Sequence, residues 1–163
     1  MKKTILLADD SNKDAEEISQ CLKAVGVLNP VVRVTDGEDV IAYLKRTGRY
    51  ASADEFPKPA VLLLDLKMPK VNGFEVLQWI RLQPALKELL VIVISGSDGL
   101  KEVAHAYSLG ANSFIVKPAN PSEISNLVRS FQEYWITAPV GSQSISPHLT
   151  SKNLPGTNQR ANG

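Results

Sequence analysis

Five short apolar runs, separated by stretches with helical spacing, constrain this chain more than any other feature. They are Ile5 to Ala8, Val31 to Val34, Ala60 to Leu64, Leu90 to Ile94 and Ser113 to Val116. Runs this short, apolar at consecutive positions, read as strands buried on both faces. Between them the apolar positions recur every three or four residues. Ala15, Ile18, Leu22 and Val25 form one such set, and Val40, Ile41 and Leu44 follow Asp36-Gly37 in a second. Phe74, Leu77, Ile80 and Arg81 follow Gly73. Leu100, Val103, Ala104 and Tyr107 lead to Gly110, a natural helix stop, and Ile124, Leu127, Val128, Phe131 and Trp135 follow Pro121-Ser122, a natural start. The resulting βαβαβαβαβα order predicts an α/β fold, a parallel sheet covered by helices on both faces.

The 163 residues suit one domain with one sizeable core. Formal net charge is +1, so nothing in the electrostatics favours nucleic acid, an anionic membrane or an acidic substrate. A single cysteine, Cys21, excludes an intrachain disulfide and fits a reducing, cytoplasmic compartment. No apolar run approaches the ~20 residues that span a bilayer. Lys2-Lys3 and the apolar residues after them have the start of a signal peptide, but Asp9 and Asp10 end the run too early. Gly48 to Pro59 reads as a long surface loop. Residues 138–163 carry Pro, Gly, Ser and Asn, no acids and no period, which predicts a mostly disordered tail behind a domain of residues 1–137.

Sites in an open parallel sheet form beyond the carboxyl ends of the strands. Asp9 and Asp10 follow the first run, Asp65 the third, Ser95 ends the fourth, and Lys117-Pro118 follow the fifth. Three carboxylates gathered together resist full ionisation. At an effective dielectric of about 20, two unit charges ~4 Å apart interact by roughly 4 kcal/mol. A divalent cation removes that repulsion, and hard oxygen ligands with open positions suit Mg²⁺. With Lys117 as a second cation and the Ser95 hydroxyl as a donor, the set has what phosphoryl transfer asks for: positioning and charge neutralisation. Asp65, on the central strand between the acid pair and the lysine, is the best nucleophile. Each residue alone has a plainer reading. Asp9, Asp10 and Ser11 suit a helix N-cap, Asp65 a turn, Ser95 a cap, and Lys117-Pro118 a strand terminus. All of these holding at once, at four strand ends, is a much poorer explanation.

These residues resemble the receiver domain of bacterial response regulators. The resemblance rests on Leu7-Ala8-Asp9-Asp10-Ser11, Leu63-Leu64-Asp65-Leu66-Lys67-Met68-Pro69, Asn72-Gly73, Ile94-Ser95-Gly96, Gly110-Ala111 and Val116-Lys117-Pro118, and covers residues 4–137. It implies a flavodoxin-like, doubly wound, five-stranded parallel sheet of strand order 2-1-3-4-5. It implies that Asp65 accepts a phosphoryl group from a sensor histidine kinase. Mg²⁺ would be held by Asp9, Asp10, Asp65 and the Lys67 carbonyl, with Asp9 acting through water. Lys117 and Ser95 would contact the phosphoryl group, Phe114 would be the switch aromatic whose plainer role is core packing, and the peptide bond before Pro118 would be cis. Lys67 and Ser97 occupy positions that tune phosphorylation and dephosphorylation rates in the family, and Gly96 stands where Ala is commoner.

A closer resemblance is to single-domain regulators partnered with bacterial, especially cyanobacterial, phytochrome kinases. It rests on Gly48-Arg49-Tyr50-Ala51, Gln83-Pro84-Ala85-Leu86-Lys87 and Phe131-Gln132-Glu133-Tyr134-Trp135. Members often dimerise through the face of the fourth helix, fifth strand and fifth helix, and Tyr134 and Trp135 suit either that interface or a cap on the core. A haloacid-dehalogenase-like phosphatase is the enzyme alternative, but it needs its nucleophile after the first strand in an Asp-x-Asp pattern. A flavin or nucleotide binder needs a glycine phosphate loop where Asp9-Asp10-Ser11-Asn12 stands. A degenerate scaffold receiver would have lost a site residue, and none is missing. A phosphate sink or relay without output of its own is the further alternative. With no helix-turn-helix pattern, direct DNA binding is not expected.

Overall fold

Each apolar run is a strand in the computed structural model, which describes residues 3–138. The strands are β1 (Thr4–Ala8), β2 (Val31–Val34), β3 (Pro59–Leu64), β4 (Leu90–Ser95) and β5 (Ser113–Val116). The helices between and after them are α1 (Asn12–Ala24), α2 (Gly37–Lys45), α3 (Gly73–Arg81), α4 (Leu100–Ser108) and α5 (Pro121–Ser130). The sheet is wholly parallel, in the order β2-β1-β3-β4-β5.

Strand alternation divides the core into two layers. Leu6, Ala8, Leu62, Leu64, Val91 and Val93 face α2, α3 and α4. Ile5, Leu7, Val61, Leu63, Ile92 and Ile94 face α1 and α5. Because both faces are covered, the central strands carry no polar alternation, and their continuous apolar letters follow. Polar caps start the helices. Ser11, Asp36, Asn72 and Asn120 each accept a hydrogen bond from a first-turn amide, and Asn72 and Glu75 complete a reciprocal capping box.

Three details differ from the sequence expectation. The fifth helix ends at Ser130 rather than running on to Trp135. Phe131 leaves the helical region (φ −127°, ψ 51°), and a 3-10 turn over Gln132–Tyr134 follows. The chain then extends, so Trp135 is 6% exposed and packs in the α1–α5 layer. It caps the core and is not available on an interface. The Asn29 side chain holds this turn, donating to Tyr134 O and accepting from the Ile136 amide. The Gly48–Pro59 loop is not merely superficial. It begins with a 3-10 turn, Gly48–Tyr50, whose buried Tyr50 packs with Tyr43 and with Phe56, each at a centroid distance of 5.1 Å. Finally, Ala138, assigned by sequence to the tail, donates to Gly26 O, next to a bridge between Thr137 and Val27. The rest of the expected tail, 139–163, lies outside the described residues. No helix among the described residues is long and apolar enough to cross a membrane.

Candidate functional site

Lateral register brings the strand ends level. Ala8 pairs with Val34 and Leu64, and Ser95 pairs with Val116. The next residues stay tied to their neighbours: Asp9 N donates to Val34 O, Asp65 N to Ala8 O, and Lys117 N to Ser95 O. Parallel strands that stop together lift their following side chains into one crevice. Asp9, Asp10 and Asp65 each present an oxygen there within 4.8 Å of one another. Asp9 and Asp65 are buried, whereas Asp10 is exposed. Ser95 is fully buried, and its hydroxyl accepts from the Ser97 amide.

Lys117 closes the group. Its amine lies 2.9 Å from Asp9 Oδ2, 3.2 Å from Asp65 Oδ2 and 2.8 Å from Asp14 Oδ2. The bond before Pro118 is cis. The contacts to Asp14 and Asp65 are hydrogen bonds, whereas Asp9 Oδ2 is buried with a charge contact but no hydrogen-bond partner. This buried oxygen has only a shared cation beside it and keeps acceptor capacity for a further partner. A hard divalent cation would satisfy it, and three carboxylate oxygens, one of them exposed, match the ligand preference of such an ion.

Ionisation follows from this crowding. Burial pushes the Asp65 carboxyl above the usual range; Lys117 pulls it down but does not cancel the effect, and Asp9 repels its charge. Burial also opposes the charge on Lys117, yet the hydrogen bond to Asp14 and the close negative charges of Asp9 and Asp65 outweigh it and hold the amine above the ordinary lysine range. The hydrogen bond from Lys117 holds Asp14 below the usual carboxylate range.

The loop after β3 is fitted around glycine. Gly73 donates to Leu66 O at 2.9 Å, and a Cβ there would stand 2.5 Å from Asp65 O. The amide of Lys67 donates to Asp65 Oδ1 at 3.3 Å while its side chain is exposed. A Cβ on Gly96 would meet nothing within 4 Å, so this position leaves the crevice open. Phe114 pairs with Val93 on β4 and is half-buried against the α2–α3–α4 layer.

Two contributors escaped the sequence reading. Asp14 stands in the first turn of α1, three residues after the Ser11 cap, and an acid at that distance from the Asp9-Asp10 pair is its signal. Arg33 sits on β2, the one strand whose end the sequence pattern does not draw into the site. Its guanidinium donates to Asp9 O from Nε (3.1 Å) and Nη2 (2.9 Å) and to Asn12 Oδ1 from Nη1 (2.7 Å), anchoring the loop that carries the acid pair.

Comparison with known proteins gives a consistent picture. Residues 5–129 match the response regulator receiver domain family. Response regulator Rcp1 of Synechocystis sp. is 31% identical over 134 residues, covering 82% of this chain and 89% of Rcp1. The Mn²⁺-bound structure of Rcp1 superposes with a TM-score of 0.67, at 31% identity, over 85% of this chain and 99% of the other. The phosphorylated cyanobacterial phytochrome response regulator RcpA gives 0.69 at 38% identity, over 83% and 94%. The bacteriophytochrome response regulator RtBRR gives 0.75 at 33% identity, over 99% and 100%.

Proposed function

The chain belongs to the response regulator receiver domain family of two-component signalling, a signalling rather than a catalytic family, and from that premise we propose that Asp65 is its phosphoacceptor and Mg²⁺ its metal. The observation that carries this reading is the buried Asp65 carboxylate, set among two further acids and 3.2 Å from the Lys117 amine. The donor is a phosphohistidine of a sensor kinase, and the likeness to RcpA and RtBRR supports a phytochrome-type kinase. The receiver expected over residues 1–137 extends to Ala138 and acts in the cytoplasm.

An oxygen of Asp65 forms a bond to phosphorus as the donor's P–N bond breaks, and the bonding pair returns to the imidazole. When bound, Mg²⁺ supplies positive charge that offsets the acids and the phosphoryl oxygens. Asp10, Asp65 and the Lys67 carbonyl would hold it, with Asp9 acting through water. Lys117 pairs with one phosphoryl oxygen, and the Ser95 hydroxyl donates to another. Phe114 then turns inward and changes the α4–β5–α5 face, where a downstream protein or a second copy binds.

The test is incubation with Mg²⁺ and acetyl phosphate, followed by intact-mass measurement. One phosphoryl group per chain is expected, and none when EDTA removes the metal. Repeated hydrolysis of p-nitrophenyl phosphate without labelling would instead favour a phosphatase.

Lys67 allows a second measurement on the same sample. Its exposed side chain crowds the water that would hydrolyse the acyl phosphate. Lys67→Asn is expected to shorten the phospho-Asp65 lifetime roughly threefold to tenfold, on the order of 1 kcal/mol in the barrier. An unchanged decay rate would remove Lys67 from this role.

A further inference from the structure

Lys117 is shared among acids, and its shortest contact goes outside the acid trio. The amine is 2.8 Å from Asp14, against 2.9 Å from Asp9 and 3.2 Å from Asp65. Asp14 stands in the first turn of α1, where its amide is capped by Ser11 Oγ. Its side chain is 31% exposed, whereas those of Asp9 and Asp65 are 1% and 7% exposed.

From this geometry we propose that Asp14 is a competing counter-ion, which occupies Lys117 when Asp65 is unmodified and so weakens capture of a phosphoryl group. The proposal rests on the reading of Asp65 as phosphoacceptor. An ammonium has three protons to donate, and here three carboxylates surround it. A phosphoryl group attached to Asp65 needs one of those protons. Asp14 is the partner that yields it at least cost, because water can replace Lys117 at an exposed carboxylate. At buried Asp9 the same exchange would strand a charge. Once released, Asp14 is still anionic and faces an anionic phosphoryl group, so its charge opposes that state as well.

Removing the Asp14 charge therefore frees a donor and takes away a like charge. Both effects tighten phosphoryl binding. A purely structural post for Lys117 would behave in the opposite way, since its loss would let the amine wander and weaken binding. The amine keeps Asp9 and Asp65 as anchors when Asp14 is gone.

The experiment uses the full chain, saturating Mg²⁺ and beryllofluoride as the phosphoryl mimic, with bound fluoride counted by fluorine NMR. Wild type is compared with Asp14→Ala, Asp14→Asn, Asp14→Glu and Asp65→Asn, each checked for folding by circular dichroism. Asp14→Ala and Asp14→Asn are expected to half-saturate at roughly threefold to fivefold lower beryllofluoride, the upper range for a partly exposed ion pair. Asp14→Glu, which restores the charge, returns the affinity toward wild type. If wild type binds and Asp65→Asn does not, but the neutral Asp14 variants bind equally or more weakly, the counter-ion proposal fails and the phosphoacceptor stands. If wild type does not bind, both fail together.

Discussion

Asp65→Asn is expected to take up no phosphoryl group from acetyl phosphate under conditions that label the wild type fully, a fall of at least about a thousandfold, or roughly 4 kcal/mol in the barrier. An amide oxygen is a poor nucleophile and carries no charge for the metal. The same substitution is expected to stabilise the metal-free fold by about 1 kcal/mol near neutral pH, because it removes a buried anion that the site tolerates for function. The pH dependence has a defined sign. Burial raises the folded-state pKa of Asp65 above its unfolded value of about 3.8. Folding therefore binds the Asp65 proton more tightly than the unfolded chain does. The cost of ionising it is absent below the unfolded value and fully present above the raised folded one. The advantage of Asn should thus be largest above the raised value and shrink as pH falls through that window toward the unfolded one. Thermal melts in EDTA at several pH values measure it, and a variant less stable than wild type at pH 7 would contradict the burial argument.

Gly73→Ala is expected to destabilise the protein by about 3 kcal/mol, the upper range for an overpacked position. The new Cβ would stand 2.5 Å from Asp65 O and 2.6 Å from Leu66 Cα, both backbone atoms that cannot swing aside. Relief requires the β3–α3 loop to move, and that loop carries Asp65. Metal binding should therefore weaken with stability, which a metal titration of the folded fraction would show. Gly37→Ala makes an informative companion. Its Cβ would stand 1.9 Å from Val71 O, pressing the same loop from the α2 side. Denaturant melts in which both variants match the wild type would show that the loop has slack this packing does not suggest.

Much of the architecture could be read from the letters. Ile92, Val93 and Ile94 are apolar without alternation because helices cover both faces of the sheet, and that pattern is local. Ser11, Asp36 and Asn72 announce helix starts because a cap bonds amides only two or three residues away. Asp9, Asp10, Asp65, Ser95 and Lys117 were found together because parallel strands end at one edge, so chain position after each run stands in for position in space. Where the reading went astray, the deciding contact was long-range. Trp135 has the spacing of an α5 residue, yet Asn29 bonds the turn before it and the α1–α5 layer takes its indole. Arg81 stands in α3 as the period predicts; what the period could not show is that its guanidinium reaches Gly110 O at 3.0 and 2.8 Å and Asn112 Oδ1 at 3.0 Å, tying α3 to the α4–β5 turn.

The order of elements, the buried character of the strands and the identity of the acids, hydroxyl and amine were thus set by the chain's own periodicity, since hydrophobic burial and capping act over a few residues. Which acid holds Lys117 most closely, and that Arg33 braces the loop bearing Asp9 and Asp10, emerged only on folding. Those contacts join residues up to 103 positions apart. Their distances depend on how the sheet and α1 pack, which no local pattern encodes.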